Sequence, residues 1–235
     1  MIEINKIYND DCINILKQLP DKSIDLVLTD PPYLLDNHGG VGMGKFAERK
    51  LIKLKHINWI SEDFDYNAIF NEFIRICNPL NLYIFCSNKQ ISRTMSFFED
   101  KGYKVTLLMW HKVNAVPLVN KKYHDNVEFI VCVRDKGSCF NNLLVAEKSK
   151  IISMPYPNNN NRLHPTEKPI KLIELLLKTK SNEGNLVLDC FSGSGTTAVA
   201  CHNLKRNFIC VEKDYNYWQS SVNRLEQVQA QMRLF

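Results

Sequence analysis

Leu186-Val187-Leu188-Asp189-Cys190-Phe191-Ser192-Gly193-Ser194-Gly195-Thr196-Thr197 reads as a buried strand running into a Gly-x-Gly turn and then a helix. The apolar run is strand-sized. Two glycines one residue apart permit the tight turn and the close backbone approach that a nucleotide-like ligand needs. Gly193, Gly195 and Ala198 also satisfy the looser Gly-x-Gly-x-x-Gly/Ala fingerprint of dinucleotide-binding folds. Glu212 follows at the end of the next apolar run, where an acidic side chain meets ribose hydroxyls. No Gly-Lys-Ser/Thr follows the glycines, so a phosphate-binding P-loop lacks its signature. The bland alternative is a glycine turn that only packs a helix onto a strand.

Outward from this stretch, short apolar runs alternate with segments of helical period. Strand-like runs fall at 3–8, 24–29, 80–86, 104–110, 127–133, 185–189 and 207–211. Helical patterns fall at 12–19, 66–77, 88–101, 170–180, 196–204 and 215–232, with Gly102 as a stop signal. Strands separated by helices predict an α/β, Rossmann-like fold: a mostly parallel sheet, here of seven strands, with helices on both faces. No helical segment separates 104–110 from 127–133, which predicts an antiparallel hairpin at the sheet edge. No repeat and no hinge-like linker divides the chain, so residues 1–235 are expected to form one domain. Residues 34–59 and 111–162 stand out as small insertions.

The composition agrees with a large buried core. Of 235 residues, 45% are hydrophobic and 23% charged, which excludes a disordered or fibrous chain. Thirty Lys and Arg against 25 Asp and Glu give a net charge of +5, which admits a polyanionic partner without requiring one. Much of that excess sits in 45–55, where Lys45, Arg49, Lys50, Lys53 and Lys55 face only Glu48. A second basic stretch holds Lys112, Lys121 and Lys122. Both runs read either as solvated loops or as contacts to a phosphate backbone. The eight cysteines include no Cys-x-x-Cys pair, so no zinc or redox motif is present, no metal site is expected, and reduced, buried thiols are. Neither a signal-peptide core nor a membrane-length apolar stretch appears, which predicts a cytoplasmic protein without membrane attachment.

Asp30-Pro31-Pro32-Tyr33 follows directly on the buried run 24–29. In an open α/β sheet the carboxyl end of a strand is where ligands are held. Two prolines stop the strand and fix the backbone, presenting Asp30 and Tyr33 at set positions. A carboxylate, uncommitted proline carbonyls and an aromatic ring suit a planar ring bearing an exocyclic amine. An ordinary capped turn is the competing reading. The third motif, His164-Pro165-Thr166-Glu167-Lys168-Pro169, reads in isolation as a proline-bounded helix entry.

Together, and in this order along the chain, the three motifs resemble those of the S-adenosylmethionine-dependent DNA amino-methyltransferases. A catalytic tetrapeptide near the N-terminus and cofactor glycines near the C-terminus look like the β-class, permuted arrangement. The resemblance implies that Asp30 accepts a hydrogen bond from the target amine with help from the carbonyl of Pro31, that Pro32 completes the rigid turn, and that Tyr33 stacks on a flipped base. It implies that Asp189, Phe191, Gly193 and Gly195 line the methionine end of the cofactor, with Thr196 opening the helix beneath. It puts Glu212 on the ribose, Asp11 on the adenine, and His164 and Lys168 at the closure of the pocket. Asp30 itself borders that pocket. Two positions depart from the usual pattern: Asp10 stands where relatives have Gly, and Glu167 where they often have Gln.

The chemistry suits these parts. An exocyclic amine is a poor nucleophile because its lone pair is delocalised into the ring. Hydrogen bonds to Asp30 and a carbonyl localise that pair, and direct transfer then needs positioning and electrostatics, with no metal. A base inside a duplex must be rotated out first. The resemblance also implies adenine N6 as the target, because relatives acting on cytosine N4 more often carry Ser where this chain has Asp30, with cytosine N4 as the alternative. The expected partners are double-stranded DNA, held in part by Lys45, Arg49, Lys50, Lys53, Lys112, Lys121 and Lys122, a second copy of the chain, and a cognate restriction endonuclease. An NAD-dependent oxidoreductase would explain the glycine turn and Glu212 but leave Asp30 to Tyr33 without a role. A non-catalytic nucleic-acid-binding module would explain only the charge.

Overall fold

The computed structural model describes residues 2–32, 64–115, 123–157 and 167–232. Within them lie eight strands: β1 (Lys6–Asn9), β2 (Leu26–Thr29), β3 (Asn81–Cys86), β4 (Lys104–Lys112), β5 (Val127–Arg134), β6 (Ile151–Met154), β7 (Leu186–Asp189) and β8 (Asn207–Glu212). They form one sheet in the order β1-β8-β7-β2-β3-β5-β4-β6. The first five strands of that order run parallel. Only β5 is reversed, antiparallel to β3 and β4, while β6 runs parallel to β4.

Every residue of β2 and β3 is buried, as expected for continuous apolar runs in the middle of a sheet covered on both faces. Alternate residues of each strand enter different cores. Val27, Leu82, Ile84, Val131 and Val133 join one cluster with α1 (Cys12–Leu16), α2 (Tyr66–Ile76) and α3 (Asn88–Glu99). Leu26, Leu28, Tyr83, Phe85 and Ile130 join the other with α4 (Ile170–Lys180), α5 (Thr196–Asn203) and α6 (Tyr215–Met232). The helices begin where the sequence caps them. Asp11 and Asp65 accept the first N–H groups of α1 and α2, and Ser87 with Gln90 forms a capping box on α3.

The Rossmann-like α/β class and the mostly parallel sheet are as expected, but the sheet has eight strands rather than seven. The additional strand is β6. It is four residues long and alternates, with Ile151 exposed and Ile152 buried, so its apolar signal is too weak to stand out beside a polar tract. The β4–β5 antiparallel pair forms as predicted, yet it is not the edge: β6 lies outside β4, and β5 is inserted beside β3. Part of 111–162 therefore belongs to the sheet. All eight cysteines are free thiols, seven buried and Cys139 half-buried. Among the described residues no helix is long and apolar enough to cross a membrane, and no group of His, Cys, Asp or Glu could hold a metal ion.

Phe73 is 1% exposed at the centre of the α2 face of the core. Phe73→Ala is predicted to lower the unfolding free energy by about 3–5 kcal/mol, measured by urea titration followed by circular dichroism.

Candidate functional site

Because β1, β8, β7 and β2 are parallel neighbours, their carboxyl ends share one edge of the sheet. That places Asp11, Glu212, Asp189 and Asp30 around a single cavity of about 490 Å³. Most of the anticipated cofactor residues line it: Asp11, Asp30, Lys168, Asp189, Phe191, Gly193, Thr196 and Glu212, together with Pro32. Gly195 shapes the turn behind this wall. Tyr33, Lys45, Arg49, Lys50, Lys53, Lys121, Lys122 and His164 lie outside the described residues.

Asp189 organises the turn. Its Oδ1 accepts hydrogen bonds from Thr29 Oγ1 at 3.1 Å and from the Phe191 N–H at 3.1 Å, and its Oδ2 accepts one from Thr197 Oγ1 at 2.6 Å. One buried carboxylate thus ties β2, the loop after β7, and α5 together. Burial raises its pKa to about 6, against the three donors, which lower it; the charge of nearby Asp30 adds to the rise.

The glycine turn itself has φ +50° at Gly193 and +74° at Gly195, both left-handed. A Cβ on Gly195 would come within 2.8 Å of Ser221 Cβ in α6, so the turn can lie against that helix only as glycine. Glu212 spans the cavity floor, accepting the Gly193 N–H at 2.9 Å and the Asp214 N–H at 2.8 Å. Burial raises its pKa in spite of those bonds. Asp11 caps α1 and pairs with Lys213 at 2.9 Å. Burial works against its ionisation, but Lys213 and the Ile13 N–H outweigh it and hold the pKa below the ordinary value. Ser192 Oγ is buried at the cavity with no hydrogen-bond partner among the described residues, a polar atom left for a ligand.

Asp30 stands at the other end of the cavity, 2.7 Å from the ammonium of Lys168. Behind it the Pro32 carbonyl is held by two donors, Tyr66 Oη and Gln90 Nε2, the latter at 2.9 Å. Gln90 also donates to Tyr66 Oη at 2.8 Å and accepts from the Ser87 N–H and hydroxyl. Pro32 O is therefore committed to the scaffold.

Sequence reasoning missed Tyr66, Gln90, Glu128 and Arg224. Gln90 left a trace in Ser87-Asn88-Lys89-Gln90, the spacing of a capping box. Arg224 pairs with Glu167 at 2.9 Å and donates to Ser194 O and Thr196 Oγ1, so α6 pins the glycine turn to the segment before α4. Nothing in the sequence marks Arg224, a single cation on an amphipathic helix. Lys112, anticipated as a phosphate contact, is mostly buried and paired with Glu128 at 2.9 Å.

The model of the DNA methylase family (N6_N4_Mtase) matches residues 24–223. Among characterised proteins the chain is 29% identical to the type II methyltransferase M.HpaI of Haemophilus parainfluenzae, over 91% of this chain and 72% of that one. It is 26% identical to the type II methyltransferase M2.MboI of Moraxella bovis, over 94% and 88%. The crystal structure of the M1.HpyAVI–SAM complex superimposes with a TM-score of 0.71 at 28% identity, over 94% of this chain and 98% of that one. The cytosine-N4-specific PvuII DNA methyltransferase shares the fold, with a TM-score of 0.71 at 19% identity, over 98% and 92%.

Two outcomes follow from the turn. The raised pKa of Asp189 means that the folded protein holds a proton the unfolded chain releases, so this group's stabilising contribution is complete below about pH 4 and lost as pH rises through about 6. Asp189→Asn can keep its carbonyl toward the Phe191 N–H while Thr197 turns its hydroxyl to accept. Urea titrations between pH 4 and 7 are expected to show that slope in the unchanged protein and its loss in the variant. Gly195→Ala is predicted to destabilise by about 1–3 kcal/mol in the same assay, through overpacking against Ser221 and a strained φ.

Proposed function

The chain belongs to the DNA methylase family, and from that premise we propose that it transfers a methyl group from S-adenosylmethionine to the exocyclic N6 amine of adenine in duplex DNA. The observation that carries this reading is the convergence of Asp30 with the glycine turn on one cavity, although they lie about 160 positions apart in the chain. The cavity suits the cofactor. Its wall carries Asp11, Asp189 and Glu212, which favour cationic and hydroxyl-bearing groups, and the rings of Phe64 and Phe191, 5.7 Å apart, offer an apolar contact. Ser192 Oγ stands available to a polar group. When bound, S-adenosylmethionine supplies an electrophilic methyl group on a sulfonium.

The chain's own part is to hold and orient the amine. Asp30 accepts one N–H and the Pro31 carbonyl the other, which returns the lone pair to the nitrogen and directs it toward the cofactor. The commitment of Pro32 O to Tyr66 and Gln90 supports this division, since it anchors the residue next to Pro31 and takes that neighbouring carbonyl out of play. Tyr33 is assigned to stacking on the flipped base. Asp11, Phe191, Gly193, Gly195, Thr196 and Glu212 are assigned to the cofactor together with Asp189, whose own oxygens serve the turn, and with His164 at the closure.

The finer reading is a permuted, β-class enzyme with adenine as its target, supported by the Asp30-to-Tyr33 tetrapeptide lying ahead of the glycine turn. Contacts to DNA are assigned to the basic residues of 34–59 and to the parts of 111–162 outside the sheet, as target-recognition elements of a single domain. Dimerisation and pairing with a cognate restriction endonuclease complete the proposal. They draw on the type II methyltransferases among the relatives.

The test is incubation with methyl-labelled S-adenosylmethionine and unmethylated duplex DNA, followed by digestion to nucleosides and mass analysis. Label is expected in N6-methyladenine, and Asp30→Ala is expected to reduce it by at least about 100-fold. Label in N4-methylcytosine would move the target and keep the mechanism. Bound cofactor with no labelled base would overturn DNA as the substrate.

A further inference from the structure

Asp30 begins a row of four charged side chains of alternating sign. Lys168 Nζ lies 2.7 Å from Asp30 Oδ2 and 2.9 Å from Glu128 Oε2, and Glu128 Oε1 lies 2.9 Å from Lys112 Nζ. Two carboxylates and two ammonium groups leave the row neutral. None is a solvated surface charge: the side chain of Lys168 is 7% exposed and that of Lys112 12%. Aromatic rings confine both cations. Lys168 Nζ sits 4.9 Å from the centre of Phe85, and Lys112 Nζ lies against Trp110 and the Tyr156 ring stacked on it. Such a row, assembled from the end of β2, from β5 and β4, and from the segment before α4, is too costly in desolvation to serve as generic stabilisation.

We propose that Lys168 is a positioning residue for the methyl transfer, its ammonium fixing the Asp30 carboxylate and keeping it ionised, with Glu128 and Lys112 holding Lys168 in place. The inference rests on the assignment of Asp30 as the acceptor of the target amine. The charged carboxylate is the stronger acceptor, with both oxygens open to an N–H. A protonated carboxyl keeps one weaker, neutral acceptor and turns its O–H toward an amine that itself needs to donate. A second carboxylate near Asp30 opposes its charge. Asp189 faces it from the end of β7, and Asp30 adds to the rise in the Asp189 pKa that burial begins, as a like charge does. The Cys86 thiol on β3 is neutral, its pKa pushed up to about 12 chiefly by burial. Among the described residues the cation paired with Asp30 is Lys168, with Glu128 on its far side and Lys112 beyond. Burial works against the charge on Lys168 and on Glu128, but their partners outweigh it, raising the pKa of Lys168 and lowering that of Glu128. Lys168 therefore acts on the reaction through Asp30, a different part from closing the cofactor cavity that it also lines.

The experiment is the pH dependence of kcat on duplex DNA, with cofactor affinity measured by calorimetry, for the unchanged protein, Asp30→Ala, Lys168→Met, Lys168→Arg and the double variant Lys168→Met with Glu128→Gln. At saturating cofactor, removing the cation is expected to move the acid limb of the profile up by about 1–3 pH units, with activity recovering at higher pH. Lys168→Arg is expected to bring the limb back toward that of the unchanged protein. Lys168→Met leaves an uncompensated buried carboxylate and can fail to fold. The double variant keeps Asp30 and Lys112, which sum to zero, and carries the same expected shift. An unmoved acid limb in a folded variant would overturn the proposal, as would lost cofactor affinity with the limb unmoved. Full activity in Asp30→Ala would instead overturn the assignment of Asp30 and the inference with it. An inactive Asp30→Ala beside an unmoved limb sinks the inference alone.

Discussion

The buried carboxylate of Asp189 is the interaction on which the site depends. Its three donors come from β2, from the loop that leaves β7, and from the first turn of α5. A carboxylate with two oxygens and several lone pairs can serve all three at once, which no other side chain of that size does. Replacing it by an apolar residue would leave the Phe191 N–H and two hydroxyls buried without partners, each at a cost of about 1–3 kcal/mol. The glycine turn is held as much by this anion as by its glycines, and the strand that carries Asp30 is tied to the same anion through Thr29.

The four acidic side chains at one edge of the sheet raise an electrostatic question, since like charges gathered around a cavity repel. The structure answers it with cations placed outside the ring. Lys213 takes Asp11, Lys168 takes Asp30, and backbone N–H groups take Glu212. Asp189, like Glu212, has only neutral donors. Burial raises the pKa of both, that of Asp189 to about 6. The arrangement leaves the cavity attractive to a cationic ligand without requiring every carboxylate to be charged before one binds.

Much of this was legible in the sequence, because the signals were local. Strand runs 80–86 and 207–211, the glycine turn and the Asp30 turn each carry their reading within a dozen residues. The strand β6 was not legible, being four residues with a single buried aliphatic side chain at Ile152. Nor was the insertion of β5 beside β3: apolar runs announce strands but not their neighbours, and the order of a sheet is decided by packing between distant segments. The setting of Lys112 was not legible for the same reason. A lysine in a basic stretch reads as solvated or phosphate-facing, and only the fold reveals Glu128 opposite it on β5, at the Trp110–Glu128 register pair next to Lys112. Arg224 and Glu167 meet across α6 and the segment before α4, a contact that no spacing encodes.

The order of the motifs along the chain matters less than the order of the strands across the sheet. β1 and β2 come from the first 30 residues, and β7 and β8, from beyond residue 185, lie between them. Neither end of the chain contains the site. Without β7 and β8 the strand that presents Asp11 has no hydrogen-bonded neighbour, and β2 loses one edge. The closure of a loop of about 160 residues must therefore precede any binding, a cost in chain entropy that only the late parallel pairings repay. This is also why Asp30 and the glycine turn could exchange places along a sequence and still meet. What the chemistry needs is that β2 and β7 be adjacent and parallel, with Asp30 and Asp189 leaving them at the same end, and a sheet can satisfy that from either direction of the chain.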